Sequence, residues 1–337
     1  MFEKYGSPAE VLMKRTTSKP VPKEGFVLVK VHAVATNPLD FKVIAGALGS
    51  GAGPAEPTVP GWDAAGTIVD ASMCSSSTLQ AGEHVMWMPS IELDTGNGQG
   101  TFAQYALIDE RILGKAPSSI PFTQAASIPL TYLTARTALE HQLQAQCGDS
   151  VLIVNGAGGV GSYAIQIARN LGCTVIATSG RQETTSWIKN LGAHQVVDHS
   201  KPSISQALQD AGINTGDVKH ALLCAPPEKI LSDVCNTIGP NGRITSILNY
   251  SADAFNNIDF LGMFLGQKGI LNTAVLERNT MFAKHREWLN EAARLVDGGQ
   301  IKPVSNALYQ WDELTQALEH QESGRAIGKI VVKTGME

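Results

Sequence analysis

A glycine-rich turn at residues 156–161 constrains the fold of this 337-residue chain more than any other feature of its sequence. The turn reads Gly-Ala-Gly-Gly-Val-Gly and matches the pattern G-x-G-x-x-G. The continuous apolar run at 151–154 precedes it and is typical of a strand buried on both faces. After it, residues 160–171 repeat apolar side chains on one helical face, and Gly172 is the expected C-cap. A buried strand, this turn and an amphipathic helix together predict a dinucleotide-binding unit.

Three glycines of the turn have different physical roles in such a unit. Gly156 permits the tight turn, Gly158 lets the backbone approach a pyrophosphate, and Gly161 allows close packing of the helix on the strand. The N-terminus of the helix holds the anion, which adds Gly159 and Val160 to the predicted binding residues. The alternative is a glycine-rich turn that binds no ligand.

Strands and helices alternate from residue 150 to residue 248, as expected of a doubly wound parallel sheet. The preceding part of the chain is instead rich in short strands, of which 26–35 is the clearest, and it carries a loop with repeated glycine and proline at 46–60. We expect the C-terminal segment to return to this β-rich part. The sequence thus predicts an α/β protein with a β-rich domain at 1–122 and 288–337 and a dinucleotide-binding domain at 123–287.

Composition and charge exclude several classes of partner. Lysine and arginine number 26 against 31 aspartate and glutamate residues, and no basic run offers a surface for a phosphate backbone. No stretch approaches the roughly 18 apolar residues that span a bilayer. The five cysteines include no C-x-x-C pair, which suits a reducing compartment. We therefore expect a soluble, cytoplasmic protein that binds neither nucleic acid nor membrane.

The end of the second strand of the dinucleotide-binding unit decides which dinucleotide it prefers. An NAD-binding unit usually places a carboxylate there on the ribose 2′-hydroxyl, whereas this chain reads Thr178-Ser179-Gly180-Arg181. A hydroxyl and a guanidinium suit a 2′-phosphate through charge-assisted hydrogen bonds. Ser179 and Arg181 therefore predict NADPH as the cofactor. The alternative is that Arg181 is a solvated charge at a helix start and that Glu183 binds the ribose.

Beyond the glycine turn, the chain carries further motifs in a characteristic order. They are Asn-Pro-Leu-Asp-Phe-Lys at 37–42, Val-Pro-Gly-Trp-Asp-Ala-Ala-Gly at 59–66, Leu-Thr-Tyr-Leu-Thr-Ala at 130–135, Leu-Gly-Ala at 191–193 and Val-Val-Asp at 196–198. Over essentially its whole length the chain resembles the medium-chain dehydrogenase/reductase superfamily, and within it the zinc-free quinone oxidoreductase-like branch. In detail it is similar to proteins labelled zinc-type alcohol dehydrogenase-like. The resemblance implies a GroES-like β-rich catalytic domain and a Rossmann coenzyme domain.

The residues at the superfamily's zinc positions do not suit zinc. Zinc alcohol dehydrogenases of this superfamily carry Cys at the position of Asn37 and Gly-His-Glu where this chain has Gly-Trp-Asp at 61–63. A catalytic zinc takes about three His, Cys or carboxylate ligands, and Asn and Trp replace neither thiolate nor imidazole. A structural zinc lobe is not expected either, because Cys74 stands alone between Gly61 and Gln104. The resemblance therefore implies an enzyme without a metal.

The absence of a Lewis acid narrows the reaction that the resemblance implies. Alcohol oxidation loses its means of stabilising an alkoxide, whereas reduction of a conjugated bond needs none. Hydride transfer from C4 of NADPH to a quinone or to the β-carbon of an α,β-unsaturated carbonyl is the expected reaction. One alternative is an enoyl reductase on a carrier-bound or coenzyme A thioester, although the loop at 46–60 has no Lys or Arg for a basic rim. The other is a non-catalytic NADPH-binding protein.

The source of the proton is left open by the sequence. Related enoyl reductases place a Tyr at about the position of Leu48, so the proton is expected from water or from a group near Asn37, Asp40 and Lys42. Asp40 and Lys42 lie two residues apart, so on a strand they would share a face and pair, either as a structural ion pair or in the substrate site. Asn37 either hydrogen-bonds a substrate carbonyl or the nicotinamide ribose, or caps the turn before Pro38.

Residues elsewhere in the chain are expected near the cofactor. The superfamily places a hydroxyl near the nicotinamide at the position of Thr134, which is otherwise a helix N-cap. His199 stands where relatives carry an aromatic residue near the 2′-phosphate, and it either meets the adenosine or is an exposed loop residue. Cys224 and Leu248 are expected to end strands of the sheet and to give backbone contacts to the cofactor. Lys329, in the closing strand, either reaches the cofactor or is a solvated charge.

The segment 270–275 is expected to be an edge strand of the nucleotide-binding sheet. Such an edge needs pairing or protection, and relatives of this type pair there. The resemblance therefore implies a homodimer that acts on a small-molecule quinone or enone.

Overall fold

The computed structural model describes residues 1–335 apart from 48–52, 55, 77, 90–99 and 274–281. The chain forms two compact units, one of Met1–Leu133 with Leu276–Glu337 and the other of Thr134–Val275. The first boundary between the two units, after Leu133, thus lies later in the chain than the predicted boundary after residue 122. A short helix at Phe122–Ala125 explains part of this difference, because it packs on strands of the first unit.

Short strands and helices make up both units. The described strands are β1 (Phe26–Ala35), β2 (Ala64–Asp70), β3 (His84–Trp87), β4 (Tyr105–Asp109), β5 (Gly114–Lys115), β6 (Ser150–Val154), β7 (Thr174–Ser179), β8 (Gln195–Asp198), β9 (Val218–Leu223), β10 (Ile238–Ser246), β11 (Gly269–Asn272), β12 (Ser305–Gln310) and β13 (Lys329–Lys333). The described α-helices are α1 (Pro8–Val11), α2 (Pro38–Ile44), α3 (Phe122–Ala125), α4 (Pro129–Arg136), α5 (Gly159–Asn170), α6 (Gln182–Asn190), α7 (Ile204–Asp210), α8 (Leu231–Thr237), α9 (Phe260–Leu265), α10 (Phe282–Asp297) and α11 (Leu314–Glu322). Short 3₁₀ helices lie at Pro227–Lys229, Ala252–Phe255 and Trp311–Glu313, and a π-helix at Thr137–Gln142 extends α4. None of the helices in the described ranges is long and apolar enough to cross a bilayer.

The first unit is built on a mainly antiparallel sheet with the order β12-β13-β1-β2-β3-β5, and β4 also pairs with β1. The valines at 27, 29 and 31 of β1 are fully buried, because every second residue of a strand faces the same side. The closing strand β13 pairs antiparallel with β1 and places Val332 opposite Val34. The prediction that the C-terminal segment returns to the β-rich part is therefore confirmed.

The second unit is built on a parallel sheet with the order β11-β10-β9-β6-β7-β8. Counted within the unit from β8, the strands stand in the order 3-2-1-4-5-6 of a doubly wound fold. Residues 151–153 of β6 are fully buried, as expected where helices cover both faces of a parallel sheet. The strand order reverses between β6 and β9, and the carboxyl ends of strands at such a point are where these folds bind ligands. The predicted α/β class with a Rossmann-type sheet is confirmed.

Candidate functional site

The glycine turn lies between the end of β6 and the start of α5, as predicted. A Cβ atom added to Gly161 would overlap the backbone carbonyl of Asn155, so only glycine lets α5 approach β6 this closely. A Cβ on Gly156 would lie 3.0 Å from the side chain of Ala177, on the neighbouring strand β7. The turn therefore has the close backbone packing that a dinucleotide-binding unit requires.

The first turn of α5 offers backbone donors to an anion. Its N-cap residue is Gly158, which has no side chain that could cap the helix. The first amides of a helix have no partner within the helix, and the helix dipole favours negative charge at this end. Because α5 is twelve residues long and begins directly at the glycine turn, Gly159 and Val160 can direct their N–H groups at a pyrophosphate.

The turn after β7 holds the residues predicted to choose between NADPH and NADH. Ser179 is buried, and its Oγ donates to the Arg181 carbonyl at 3.1 Å and contacts the hydroxyls of Thr184 at 2.6 Å and Thr185 at 3.1 Å. These contacts use the hydroxyl inside the turn, so Ser179 shapes the turn instead of facing a ligand. Arg181 and Glu183 are both exposed at the start of α6. The predicted contact with a 2′-phosphate therefore depends on Arg181.

His199 lies beside the same turn, on the loop after β8. A Cβ added to Gly180 would lie 2.5 Å from His199 Nε2, and Nδ1 of this imidazole is 3.4 Å from Thr178 Oγ1. His199 and Arg181 are both exposed. The structure thus brings these two candidate ligands of the adenosine end to one turn, which sequence spacing alone did not establish.

The carbonyl groups after β9 and β10 already have partners within the chain. Cys224 accepts a hydrogen bond from Asn155 Nδ2 at 3.1 Å, and Leu248 accepts one from Asn272 Nδ2 at 3.4 Å. Burial raises the pKa of the Cys224 thiol to about 12, so it stays protonated and is a poor nucleophile. Both residues lie at the predicted carboxyl edge of the sheet, where they fix the strand ends.

In the first unit, Lys329 lies at the centre of a buried polar cluster. Its side chain is 3% exposed, and Nζ donates to the carbonyl of Thr36 at 2.7 Å, to Asn37 Oδ1 at 2.5 Å and to Asp63 Oδ2 at 2.8 Å. All three hydrogens of the ammonium are therefore used. The expectation of a solvated charge at the strand end is wrong, since β13 is internal to the sheet and carries Lys329 inward.

Asn37 is a member of this cluster and not an open hydrogen-bonding group. It is 2% exposed, its Nδ2 donates to Asp63 Oδ2 at 2.9 Å, and its Oδ1 accepts from Lys329. The other oxygen of Asp63 accepts the backbone N–H of Leu130 at 2.7 Å, near the start of α4. The amide of Asn37 is thus held by internal partners, which does not favour its predicted bond to a substrate carbonyl. Its backbone does occupy the N-cap position before Pro38.

Asp40 and Lys42 do not form the predicted pair. Residues 38–44 form α2 and not a strand, and residues two apart on a helix do not face each other. Lys42 is exposed, whereas Asp40 is fully buried and its Oδ2 accepts the Asn37 backbone N–H at 2.6 Å. The cation near Asp40 is Lys329.

The charge balance of the cluster explains the protonation of Asp40. One ammonium faces two buried carboxyl groups, and of these two only Asp63 accepts a hydrogen bond from Lys329. Burial raises the pKa of Asp40 to about 8, with only partial compensation from the Asn37 N–H and from Lys329. Asp40 Oδ1 also has no hydrogen-bond partner among the described residues. At neutral pH the folded protein therefore holds Asp40 mainly as a neutral acid.

Thr134 and Leu48 are the remaining positions that the sequence singled out near the nicotinamide. Thr134 is buried within α4, so its alternative role as a helix N-cap is wrong, and its place near the nicotinamide stays a prediction. Leu48, the position at which related enoyl reductases place a Tyr, lies outside the described residues.

The donor chemistry of the cluster does not fit a zinc ion. The amide oxygen of Asn37 and the carboxylate of Asp63 both bind the ammonium of Lys329. Trp62 occupies the position of the zinc-ligand histidine, between two strands. Zinc sites take thiolate, imidazole or carboxylate, and a buried ammonium repels a divalent cation. Within the described ranges, no group of three or more His, Cys, Asp or Glu side chains is arranged to hold a metal.

Sequence reasoning missed two residues that organise these sites. Asp63 binds Lys329, Asn37 and Leu130, yet its sequence position indicated only the replacement of a zinc-site glutamate. Asn155 contacts Cys224, and its position directly before the first glycine of the motif was the available signal.

Comparisons with known proteins agree with this architecture. Two family models match, the alcohol dehydrogenase GroES-like domain over residues 23–118 and the zinc-binding dehydrogenase over residues 191–332. A zinc-type alcohol dehydrogenase-like protein of Staphylococcus aureus is 32% identical and covers 93% of this chain and 92% of its own length. Human quinone oxidoreductase is 28% identical and covers 98% of this chain and 96% of its own. The solved quinone oxidoreductase of Coxiella burnetii matches with a TM-score of 0.79 at 25% identity, over 99% of this chain and 98% of that one.

Proposed function

The chain belongs to the medium-chain dehydrogenase/reductase superfamily and is an oxidoreductase of that family, and from this membership we propose that it is a zinc-independent, NADPH-dependent reductase. Its proposed substrates are quinones or the C=C bond of α,β-unsaturated carbonyls. The quinone oxidoreductase relatives support this class of acceptor. The buried Lys329 ammonium is the observation that carries the proposal, because it occupies the oxygens that a metal at this position would need.

NADPH, when bound, supplies a hydride from C4 of its nicotinamide. The proposed pyrophosphate site consists of the turn at 156–161 and the first amides of α5. Arg181 and His199 are the proposed ligands of the adenosine 2′-phosphate, since a guanidinium favours a dianionic group over a hydroxyl. Thr134 is proposed to contact the nicotinamide.

The buried cluster supports reduction of an activated bond more than oxidation of an alcohol. An alkoxide needs a Lewis acid or a comparable exposed positive charge, and the hydrogens of Lys329 are all bound to internal oxygens. We propose that Asn37 and Asp40 are positioning residues of this cluster. Hydride transfer would leave an enolate or a quinolate anion, and we propose that water supplies the proton to it.

A homodimer is proposed on two features of one segment. Among the described residues β11 pairs only with β10, and an unpaired parallel edge strand is normally covered. Helix α9, just before it, exposes large apolar side chains, with Phe264 78% and Leu265 72% exposed. A second copy placed on this segment would cover both features, since a twofold axis brings the same edge strand of two subunits together.

We also propose that the protein is cytoplasmic. All five cysteines are free thiols, and Cys147 is exposed. Free, exposed thiols persist in a reducing compartment.

The proposed activity is tested by following NADPH oxidation with 1,4-benzoquinone, a simple acyclic enone and no acceptor, with NADH as the cofactor control. Enzyme-dependent turnover of either acceptor with preference for NADPH is the expected result. Tight binding of NADPH without turnover on either acceptor would contradict it and would favour an enoyl thioester reductase or a non-catalytic binder. An α,β-unsaturated acyl thioester as a third acceptor separates those two outcomes.

A further inference from the structure

Asn155 has an unusual backbone conformation for a residue that is not glycine. Its φ is +60°, and it lies between the last residue of β6 and the first glycine of the turn. Side chains disfavour this left-handed region, and asparagine tolerates it better than most. Glycine would adopt the conformation more easily, so the side-chain contacts of Asn155 are what distinguish it from its glycine neighbours.

Asn155 connects three neighbouring strands at the carboxyl edge of the sheet. Its backbone N–H donates to Thr178 Oγ1 of β7 at 3.0 Å, and its Nδ2 donates to the carbonyl of Cys224, directly after β9, at 3.1 Å. β6 lies between these two strands. The bond to Cys224 therefore crosses the point where the strand order reverses, which is where a doubly wound sheet binds its ligand.

The same residue sets the shape of the glycine turn. The carbonyl of Asn155 accepts the Gly158 N–H at 3.2 Å. A Cβ on Gly158 would lie 3.2 Å from Asn155 Nδ2, and one on Gly161 would overlap the Asn155 carbonyl. The space into which the turn and the first residues of α5 fit is thus bounded by Asn155 on two sides.

We propose that Asn155 is a positioning residue for the dinucleotide. By joining the ends of β6, β7 and β9, it holds the glycine turn and the α5 amides in the arrangement that binds a pyrophosphate. The inference rests on the proposed function, because it takes a dinucleotide as the ligand of this turn. It assigns Asn155 an effect on the pyrophosphate and none on the adenosine end, where Arg181 and His199 lie.

Two substitutions separate the side chain from the backbone. Asn155→Gly keeps the left-handed backbone and removes the bond to Cys224, and Asn155→Asp keeps the shape but replaces the donor with a carboxylate. Asn241→Gly is the matched control, since Asn241 has a φ of +57° within β10, away from the glycine turn. Each variant is titrated with NADPH and with 2′-AMP, which has no pyrophosphate, and its thermal midpoint is measured without ligand.

We expect the NADPH dissociation constant of Asn155→Gly to rise about fivefold to tenfold, which is the loss of one hydrogen bond. Asn155→Asp should lose more, because a carboxylate beside the pyrophosphate adds repulsion. The constants for 2′-AMP, and both constants of Asn241→Gly, should stay within about twofold of the wild type. Unchanged NADPH affinity would overturn the inference, as would equal losses for NADPH and 2′-AMP, which mark a merely structural residue.

The same titrations distinguish a failure of this inference from a failure of the proposed function. A wild-type protein that binds NADH but not NADPH removes the cofactor preference, and titration with NADH and with adenosine, which lacks the pyrophosphate, then tests Asn155 in the same way. A wild-type protein that binds neither dinucleotide overturns both proposals.

Discussion

Replacement of Lys329 by methionine should destabilise the folded protein strongly. The ammonium is 3% exposed, and one of its three hydrogen bonds goes to the fully buried carboxylate of Asp63. Methionine has a similar volume but leaves this carboxylate without its counter-charge. Removal of one partner of a buried ion pair costs about 3–5 kcal/mol. We therefore expect Lys329→Met to lower the free energy of unfolding by about 4 kcal/mol.

Urea unfolding followed by circular dichroism measures this loss. Lys333→Met is the matched control, because Lys333 is the exposed end of the same strand, and its effect should stay within about 0.5 kcal/mol. The double variant Lys329→Met with Asp63→Leu should recover part of the loss, since removing both charges costs less than removing one. A change below about 1 kcal/mol for Lys329→Met would refute the charge-balance reasoning, because the carboxylate would then not need the ammonium.

Three further outcomes follow from the structure. Arg181→Ala should raise the NADPH KM about tenfold or more, the worth of a charged hydrogen bond, and leave the NADH KM nearly unchanged; equal losses would end the assignment to the 2′-phosphate. Burial lowers the pKa of His285 to about 4, so its neutral form contributes stability that is full above the unfolded pKa near 6.5 and is lost as pH falls toward 4. Between pH 7 and pH 5 the wild type should therefore lose about 2 kcal/mol more than His285→Leu in urea unfolding, and parallel pH curves would contradict this. Phe264→Asp should convert the proposed dimer to a species of 35.8 kDa in sedimentation velocity, whereas a wild type already at that mass at micromolar concentration would exclude the dimer.

Features that depend on neighbouring residues were predictable from the sequence. The glycine turn, the strand before it and the helix after it form one continuous segment, and each has a local signal in glycine placement or apolar period. The closing strand β13 was also predicted to return to the first unit. The strand considered for Asp40 and Lys42 could also have been corrected from local sequence. Pro38 at the first helical position and Asp40 two residues later are typical of a helix start and not of a strand.

Features that depend on distant residues were not predictable. Lys329 is separated from Asn37 by 292 positions and from Asp63 by 266, so no pattern along the chain could place its ammonium between them. The same holds for Ser179, whose type suits a phosphate but whose hydroxyl is used by the turn that follows it. Residue type thus indicated the chemistry available, and the three-dimensional contacts determined which groups remain accessible to a ligand.

In the proposed reaction this oxidoreductase reduces its acceptor with NADPH and without zinc. The most direct test measures zinc content and turnover on the better of the two acceptors in the same samples, before chelation, after exhaustive chelation and after zinc is restored. We expect substoichiometric zinc in every sample and a turnover rate that chelation leaves unchanged. Stoichiometric zinc in the purified protein, with activity lost on chelation and recovered on zinc addition, would contradict it.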